Sequence, residues 1–184
     1  MCCVLLLLPA LGGCEPTDEA KWKEEVRLHD GRIIYVQRLM RAKSLGFSNA
    51  RRGGDLYNEL TYAPLAVQWH SDAPAELMSF EIFGGVPYLV VYRDAPKSCQ
   101  QTGRGSLKAA FFRWNGADWD PIDQKAYPVE IGLVNLYADY WGHDASQDAS
   151  GTITWAQKAV RDGFDAEHPQ SVMDWYKANN RFCG

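Results

Sequence analysis

The chain has 184 residues and a formal net charge of −4, and 12% of its residues are aromatic. This length fits one ordinary domain, the mild negative charge argues against a nucleic-acid partner, and the aromatic content argues against intrinsic disorder. Composition therefore indicates one well-packed body and excludes the strongly basic and the disordered classes of protein.

The N-terminus contains an apolar run at residues 4–10, followed by Leu11-Gly12-Gly13-Cys14. The run is too short to cross a bilayer, which takes about 20 apolar residues, and has the length of an export-signal core. Leu11-Gly12-Gly13-Cys14 resembles the lipobox of bacterial lipoproteins. The resemblance implies that residues 1–13 are a signal peptide removed before Cys14. It also implies that Cys14 carries the acyl chains that anchor the protein to a membrane.

Two plainer interpretations of this segment stay open. It fits an ordinary secretory signal with a Cys near its end by chance, or a buried apolar strand. Glu15 follows Cys14. In the lipoprotein family an Asp at that position retains enteric members in the inner membrane, so its absence favours the outer membrane. The expected location is the bacterial cell envelope, facing the periplasm.

Two cysteines, Cys99 and Cys183, remain once the signal is removed and Cys14 is lipidated. An even pair in an exported protein indicates a disulfide. In the chain-entropy model a disulfide that closes the loop between Cys99 and Cys183 stabilises the fold by roughly 4–5 kcal/mol. The alternative is two unpaired thiols. We expect no zinc site, because neither Cys belongs to a short-spaced ligand pair.

Two segments lack the pattern of a strand or a helix. Residues 14–20 are polar and contain a proline, so we predict a mobile tether ahead of a single globular domain at residues 21–184. Residues 41–58 are Gly-rich and read as a solvated loop with four cationic side chains, Arg41, Lys43, Arg51 and Arg52. As an alternative, these cations would meet anionic lipid head groups.

The domain begins with a predicted hairpin. Alternation over residues 22–28, with Glu24 in phase with the apolar positions, is typical of a strand with one face inward. Asp30-Gly31 favours positive φ at both central positions of a tight turn, and residues 33–37 form the return strand.

Three further strands are predicted in the middle of the chain. Residues 65–70 alternate and place His70 on the polar side, and residues 78–82 alternate again. Residues 88–92 have no polar face. We therefore expect that strand to be central in its sheet and covered on both faces by further layers.

A second hairpin is predicted at residues 108–122. Two strands, residues 108–114 and 119–122, flank a turn at residues 115–118, so Trp114 and Trp119 lie opposite each other. Residues 129–135 fit another strand, whereas residues 133–137 could equally begin a helix.

The C-terminal part has helical patterning. Thr154-Trp155-Ala156-Gln157 has the form of a capping box. Apolar residues at helical spacing define a predicted buried face of Ala156, Ala159, Val160, Gly163 and Phe164. A second short helix is expected from Pro169, and these helices would cover residues 88–92. The predicted class is α+β, an antiparallel meander of six to eight strands with one or two C-terminal helices.

Three patterns contain residue types used in catalysis or ligand binding. His70-Ser71-Asp72 has the composition of a triad, but neighbours on a strand point to opposite faces. His143-Asp144, with Asp148, lacks EF-hand spacing, and Gly103–Lys108 lacks the Gly-Lys-Ser/Thr order of a phosphate loop. We assign no catalytic residue, no metal site and no cofactor.

The Asp-Gly hairpin and the aromatic Asn-Gly hairpin make the body similar to uncharacterised lipoproteins of Gram-negative bacteria, a resemblance that implies no activity. We expect a non-enzymatic, lipid-anchored envelope protein that binds a protein or an envelope polymer through its exposed sheet face or loops. Two other functions stay open. One is an immunity lipoprotein that neutralises a toxin in the periplasm, and the other is an envelope hydrolase built on His70 or His143.

Overall fold

The computed structural model describes residues 17–43, 56–71, 75–94, 107–132, 134–136 and 151–161. Several predictions concern residues outside these ranges: the signal peptide, the lipidated Cys14, the Cys99–Cys183 disulfide, the segment around His143 and the second helix from Pro169.

The first sheet has the strand order β4-β3-β2-β1-β9. Its strands are β1 (Thr17–Arg27), β2 (Ile33–Lys43), β3 (Leu56–Tyr62), β4 (Val67–His70) and β9 (Thr152–Ile153). The first four form an antiparallel meander, whereas β9 pairs with β1 in parallel. The chain therefore returns near its C-terminal end to the strand with which the described part begins.

The second sheet is an antiparallel meander with the order β5-β6-β7-β8. Its strands are β5 (Ala75–Phe83), β6 (Val86–Asp94), β7 (Leu107–Trp114) and β8 (Trp119–Ile122). The protein is thus mainly β, with two sheets where a single meander was predicted.

The two sheets pack face to face around a shared hydrophobic core. Val26, Val36 and Leu60 of the first sheet belong to the same buried cluster as Phe80 and Leu89 of the second. All five are fully buried. Burial of such side chains stabilises a fold by roughly 1.5–3 kcal/mol each, so this interface is a main source of stability.

β6 is covered on both faces, as its lack of a polar side predicted. Leu89, Val90 and Val91 have no exposed surface. The face away from the first sheet packs against Tyr127 and Ile131, which follow β8. In the described part of the chain the cover is therefore this irregular segment, and the C-terminal helix contacts β1.

The first hairpin is confirmed, but its turn differs from the prediction. The Leu28 N–H donates to the Arg32 carbonyl at 2.8 Å, and the Gly31 N–H donates to the Leu28 carbonyl at 2.9 Å. The loop therefore has three residues, and Gly31 (φ 84°) has positive φ while Asp30 does not. The Asp30 carboxylate accepts a hydrogen bond from the Arg32 N–H at 3.1 Å, which favours the longer loop.

The predicted loop at residues 41–58 is wrong at both ends. β2 continues to Lys43 and β3 begins at Leu56. Arg41 belongs to the solvent face of a sheet, where its guanidinium lies 2.9 Å from the Glu19 carboxylate. β1 also begins at Thr17, so the last four residues of the predicted tether are in a strand.

Two other predictions from apolar patterns, at residues 65–70 and 129–136, differ from the structure. Leu65 lies in a short 3₁₀ helix, Ala63–Leu65, so the strand predicted at residues 65–70 is confirmed only as β4. The described residues of the 129–136 segment contain neither strand nor helix. Val129 is 89% exposed whereas Ile131 is 4% exposed, because a turn in which the Ile131 N–H donates to the Pro128 carbonyl breaks the alternation.

The second hairpin is confirmed. Trp114 and Trp119 are partners in the strand register, with ring centroids 5.3 Å apart in an edge-to-face arrangement. The indole N–H of Trp119 also donates to the Gln68 carbonyl at 2.8 Å. This bond joins the edge strand β8 of the second sheet to the edge strand β4 of the first.

The capping box is confirmed as the start of helix α1 (Trp155–Arg161). The Gln157 N–H donates to the Thr154 hydroxyl at 3.2 Å, and the Gln157 side chain accepts from the Thr154 N–H at 2.7 Å. The predicted buried face is wrong at Ala156, which is exposed, whereas Trp155 and Lys158 are buried. The helix is turned this way because Lys158 pairs with a buried carboxylate on β1.

Candidate functional site

The solvent face of the first sheet contains a concavity, which we call the outer-face trough. Residues Lys21, Leu39 and Glu59 form one cross-strand row on β1, β2 and β3, and the next row places Gln37 between Lys23 and Thr61. The trough has a volume of about 370 Å³ and is lined by Lys21, Trp22, Lys23, Gln37, Arg38, Leu39, Glu59 and Thr61. Its polar groups therefore stand on three hydrogen-bonded strands.

Most charges near the trough are paired with one another. The Lys21 ammonium lies 2.8 Å from the Glu19 carboxylate, and Arg41 contacts the Glu59 carboxylate at 2.5 Å. The hydrogen bonds from Lys21 and Arg41 lower the pKa of Glu19, which keeps it ionised. Exposed pairs of this kind contribute little to stability, but they fix the charge pattern of the surface.

Beneath the trough lies a buried charge cluster of Glu24, Arg38 and Lys158. The Glu24 carboxylate accepts from Arg38 Nη1 at 3.0 Å and from the Trp22 indole N–H at 3.1 Å on one oxygen. The other oxygen lies 2.5 Å from the Lys158 ammonium. The side chains of Glu24 and Lys158 are fully buried, and that of Arg38 is 1% exposed.

Burial shifts the acid–base balance of this cluster. Removal from water lowers the pKa of Arg38, and the Glu24 carboxylate opposes that shift through charge attraction and a hydrogen bond. Arg38 also lies over the Trp22 ring, 5.1 Å from the ring centroid. A buried charge is tolerated only when it is paired and hydrogen-bonded, so the three side chains depend on one another.

Asn135 connects this cluster to the second sheet. Its carbonyl accepts from the Lys158 ammonium at 2.6 Å. Its side-chain amide accepts from the Phe80 N–H and donates to the Phe80 carbonyl, both at 2.9 Å, as a neighbouring strand would. The same amide donates to the Arg27 carbonyl at 3.0 Å, so one buried side chain links β1 to β5.

A β-bulge on β5 makes room for this contact. The strand register shifts between Leu77 and Ser79. The carbonyl of Met78 is thereby left to accept the N–H groups of Asn135 and Leu136, both at 3.1 Å. The irregular segment after β8 is thus hydrogen-bonded to the open edge of β5.

A second buried carboxylate, Glu81, faces His29 in the first hairpin. One Glu81 oxygen accepts from the His29 backbone N–H at 3.2 Å and lies 3.1 Å from His29 Nδ1. Burial raises the pKa of Glu81, and the hydrogen bonds from His29 oppose the rise. A carboxylate that orients an imidazole supplies two of the three members of a catalytic triad. Among the described residues, no hydroxyl or thiol hydrogen-bonds to His29.

The structure separates the candidate catalytic residues predicted from sequence. His70 is exposed at the end of β4, whereas Ser71 is buried and its hydroxyl accepts from the Asn58 N–H at 3.0 Å. The two side chains therefore point to opposite faces, as expected for neighbours on an extended chain. Asp72, His143, Asp144 and Asp148 lie outside the described residues, as do residues 103–106 of the Gly-rich loop.

Sequence reasoning missed Arg38, Lys158 and Asn135 as buried polar residues. Arg38 and Lys158 stand in stretches whose polarity favours an exposed position, whereas Asn135 lies between the apolar Val134 and Leu136, a setting that could have indicated burial. Glu24 carried a usable signal, since its position in β1 shares the inward phase of Trp22 and Val26. A carboxylate in that phase requires a buried cation, but the strand pattern does not identify which one.

Within the described ranges, no cluster of three or more His, Cys, Asp or Glu side chains is placed to hold a metal ion. None of the helices in these ranges is long and apolar enough to span a bilayer. No protein-family model, curated protein or solved structure matches the chain. Function is therefore inferred from the polar sites themselves.

Proposed function

We propose that the protein is a lipid-anchored envelope protein that binds an envelope polymer, without catalysis, in the outer-face trough. The observation that carries this proposal is the trough itself. Its volume of about 370 Å³ lies within the range of small-molecule sites, roughly 300–1,000 Å³. Its lining stands on paired strands, which hold side chains more firmly than loops do.

The position of β1 supports attachment of this sheet to a membrane. Only Glu15 and Pro16 lie between Cys14 and the first residue of β1, Thr17. Three Cα–Cα steps of 3.8 Å each extend at most about 11 Å. A lipidated Cys14 would hold the first sheet next to the lipid surface, and we place that surface in the outer membrane.

The buried polar groups favour a structural role over catalysis. The carboxylate of Glu24 is engaged by Arg38 and Lys158, and these contacts are closed to solvent. A general acid or base needs access to a substrate within hydrogen-bond distance. In this proposal α1, which contacts β1, helps to close the edge of the sandwich.

Metabolic labelling with a fatty acid tests the anchor. The wild-type protein incorporates the label, and Cys14→Ala does not, because the acceptor sulfur is gone. Cys99→Ala is the matched control and keeps the label. Persistent labelling of Cys14→Ala would contradict the lipobox interpretation.

Co-sedimentation with purified cell-wall sacculi tests the trough. The mature protein in detergent sediments with sacculi, and Thr61→Glu abolishes this by placing a larger, negatively charged side chain in the trough. Val129→Glu is the matched control, because Val129 is 89% exposed in the segment that covers the other sheet. Failure of the wild type to sediment, or equal sedimentation of both variants, overturns the proposed site.

A further inference from the structure

One cation at the trough has no carboxylate partner. Among the described residues, Lys23 makes no ion pair, whereas Lys21 pairs with Glu19 and Arg38 pairs with Glu24. The Lys23 ammonium lies 4.4 Å from the centroid of the Tyr35 ring. An ammonium held over an aromatic face retains its positive charge and its three donors.

The carboxylate nearest in sequence on the same face is already engaged. Glu25 accepts from the Tyr35 hydroxyl at 3.0 Å and from the Trp155 N–H at 2.8 Å. These two bonds use both Glu25 oxygens. The arrangement leaves Lys23 as the anion-binding group of the trough.

Two neutral polar side chains complete the row. Gln37 lies opposite Lys23 on β2, and Thr61 lies opposite Gln37 on β3. Within the described part of the chain, neither side chain makes a hydrogen bond. With neighbouring strands about 4.8 Å apart, the backbone positions of these three residues span roughly 10 Å, and the Lys23 ammonium extends toward Tyr35 in the next row. This length matches a pyranose ring with its substituents better than a single small anion.

The adjacent row adds one small apolar contact. Leu39, which lies between Lys21 and Glu59, is only 8% exposed but lines the trough. A narrow apolar contact beside several donors and acceptors is compatible with a sugar, which has C–H faces and hydroxyl edges.

The charge pattern disfavours a protein partner on this face. The centre of a protein interface is depleted of Lys and Glu, and its core is apolar. Here three of the eight lining residues, Lys21, Lys23 and Glu59, are of these depleted types and flank Leu39 and Gln37 on the middle strand, and Glu19 and Arg41 stand at one end. A ligand that carries an anionic group and many hydroxyls matches the surface more closely.

We infer that the trough binds a carboxylate-bearing sugar, with Lys23 holding the carboxylate and with Gln37 and Thr61 hydrogen-bonding to the ring substituents. The inference rests on the proposed function and specifies its ligand class. Charge-assisted hydrogen bonds are roughly twice as strong as neutral ones, so the carboxylate supplies selectivity.

Titration of the mature protein in detergent with two sugars tests this inference. N-acetylmuramic acid carries a lactyl carboxylate, and N-acetylglucosamine is the same ring without it. By calorimetry or NMR shift mapping, the acidic sugar is expected to bind about tenfold more tightly. This preference should shrink as ionic strength rises, because Lys23 is exposed to solvent.

Three variants identify the residue responsible. Lys23→Gln brings the two sugars to equal affinity, Lys23→Arg keeps the preference, and the exposed control Lys125→Gln behaves as wild type. Equal binding of both sugars by the wild type, or a preference that survives in Lys23→Gln, overturns the inference. Sedimentation with sacculi reports separately on the proposed function, so its loss and the loss of sugar selectivity are distinguishable.

Discussion

The Lys158 ammonium lies 2.5 Å from an oxygen of Glu24, and neither side chain has exposed surface. The contact joins helix α1 to the strand β1. A cation on a short helix is thus buried at the point where the chain returns to its first described strand, and the helix depends on that carboxylate for its position.

Removal of this cation is expected to destabilise the fold strongly. Lys158→Met leaves Glu24 with one fewer donor in a site closed to water, and breaking a buried pair costs about 3–5 kcal/mol. Urea unfolding measures the loss. Lys125→Met removes an exposed cation and should change stability by less than about 0.5 kcal/mol. A small loss for Lys158→Met would mean that Glu24 is satisfied without it.

Asn135→Ala should cost at least about 2 kcal/mol. The substitution removes the partner of the Phe80 N–H and carbonyl, and leaving a buried polar group unpaired costs about 1–3 kcal/mol. Val129→Ala, in the same segment but exposed, is the control. Thermal unfolding of the two variants should separate them clearly, and similar melting temperatures would argue against the role of the amide.

Because Glu81 is buried, we expect the folding stability of the protein to depend on pH. Burial raises its pKa above the ordinary value of 4.5, so the folded protein holds this proton more tightly than the unfolded chain. Stability from this group is therefore greatest at low pH and falls as pH rises from about 4.5 through the raised pKa. Asp30 and Tyr127 lie near enough to interact with the Glu81 charge, and His29 partly offsets the cost of its burial.

Glu81→Gln should remove this pH-dependent loss. As pH rises from about 4.5 through the raised pKa of Glu81, the wild-type protein is expected to lose stability relative to the variant. Glu130→Gln, at an exposed position, should run parallel to wild type. Urea midpoints measured from pH 4 to 8 make the comparison, and a constant difference between wild type and Glu81→Gln would contradict it.

Gly31 has a φ of 84° in the first hairpin. Gly31→Val is expected to destabilise by about 1–2 kcal/mol, since a side chain there strains the backbone although space is open around it. Gly31→Asn should cost less, because Asn tolerates positive φ. Equal losses for the two variants in urea unfolding would show that backbone strain is not the cause.

The Cys99–Cys183 disulfide remains a prediction. A thiol count on the unfolded, unreduced mature protein is expected to find neither cysteine free. Reduction should release two thiols and lower stability by roughly 4–5 kcal/mol in the chain-entropy model, less any native strain. Two free thiols before reduction would exclude the bond.

Alternation was sufficient to predict the strands whose two faces differ in polarity. β1 and β2 were found this way, and the apolar run of residues 88–92 correctly indicated a strand covered on both sides. The method missed the whole of β3 and the end of β2, where ion pairs of Arg41 with Glu19 and Glu59 make the strands as polar as a loop. It also missed β9, whose two residues are too few to show a period.

The candidate site was harder to predict, because its contacts join residues far apart in sequence. Glu24 could be placed inward from its phase, but its partner Lys158 lies on a helix near the other end of the described chain. The trough depends on the register of β3 against β2, which follows a segment that sequence reasoning took as a loop. A local sequence pattern shows which side of a strand or helix faces inward, but it does not show which strand or helix packs against that side.

The place of β1 has a mechanical consequence. All eleven of its residues have partners on β2, and its other edge pairs with β9 at Lys23 and Glu24. A pull on the N-terminus directed along β1 would strain the ladder in shear, so that its hydrogen bonds must yield together instead of unzipping in turn. A protein tethered at that end would resist tension from a moving membrane at its first strand.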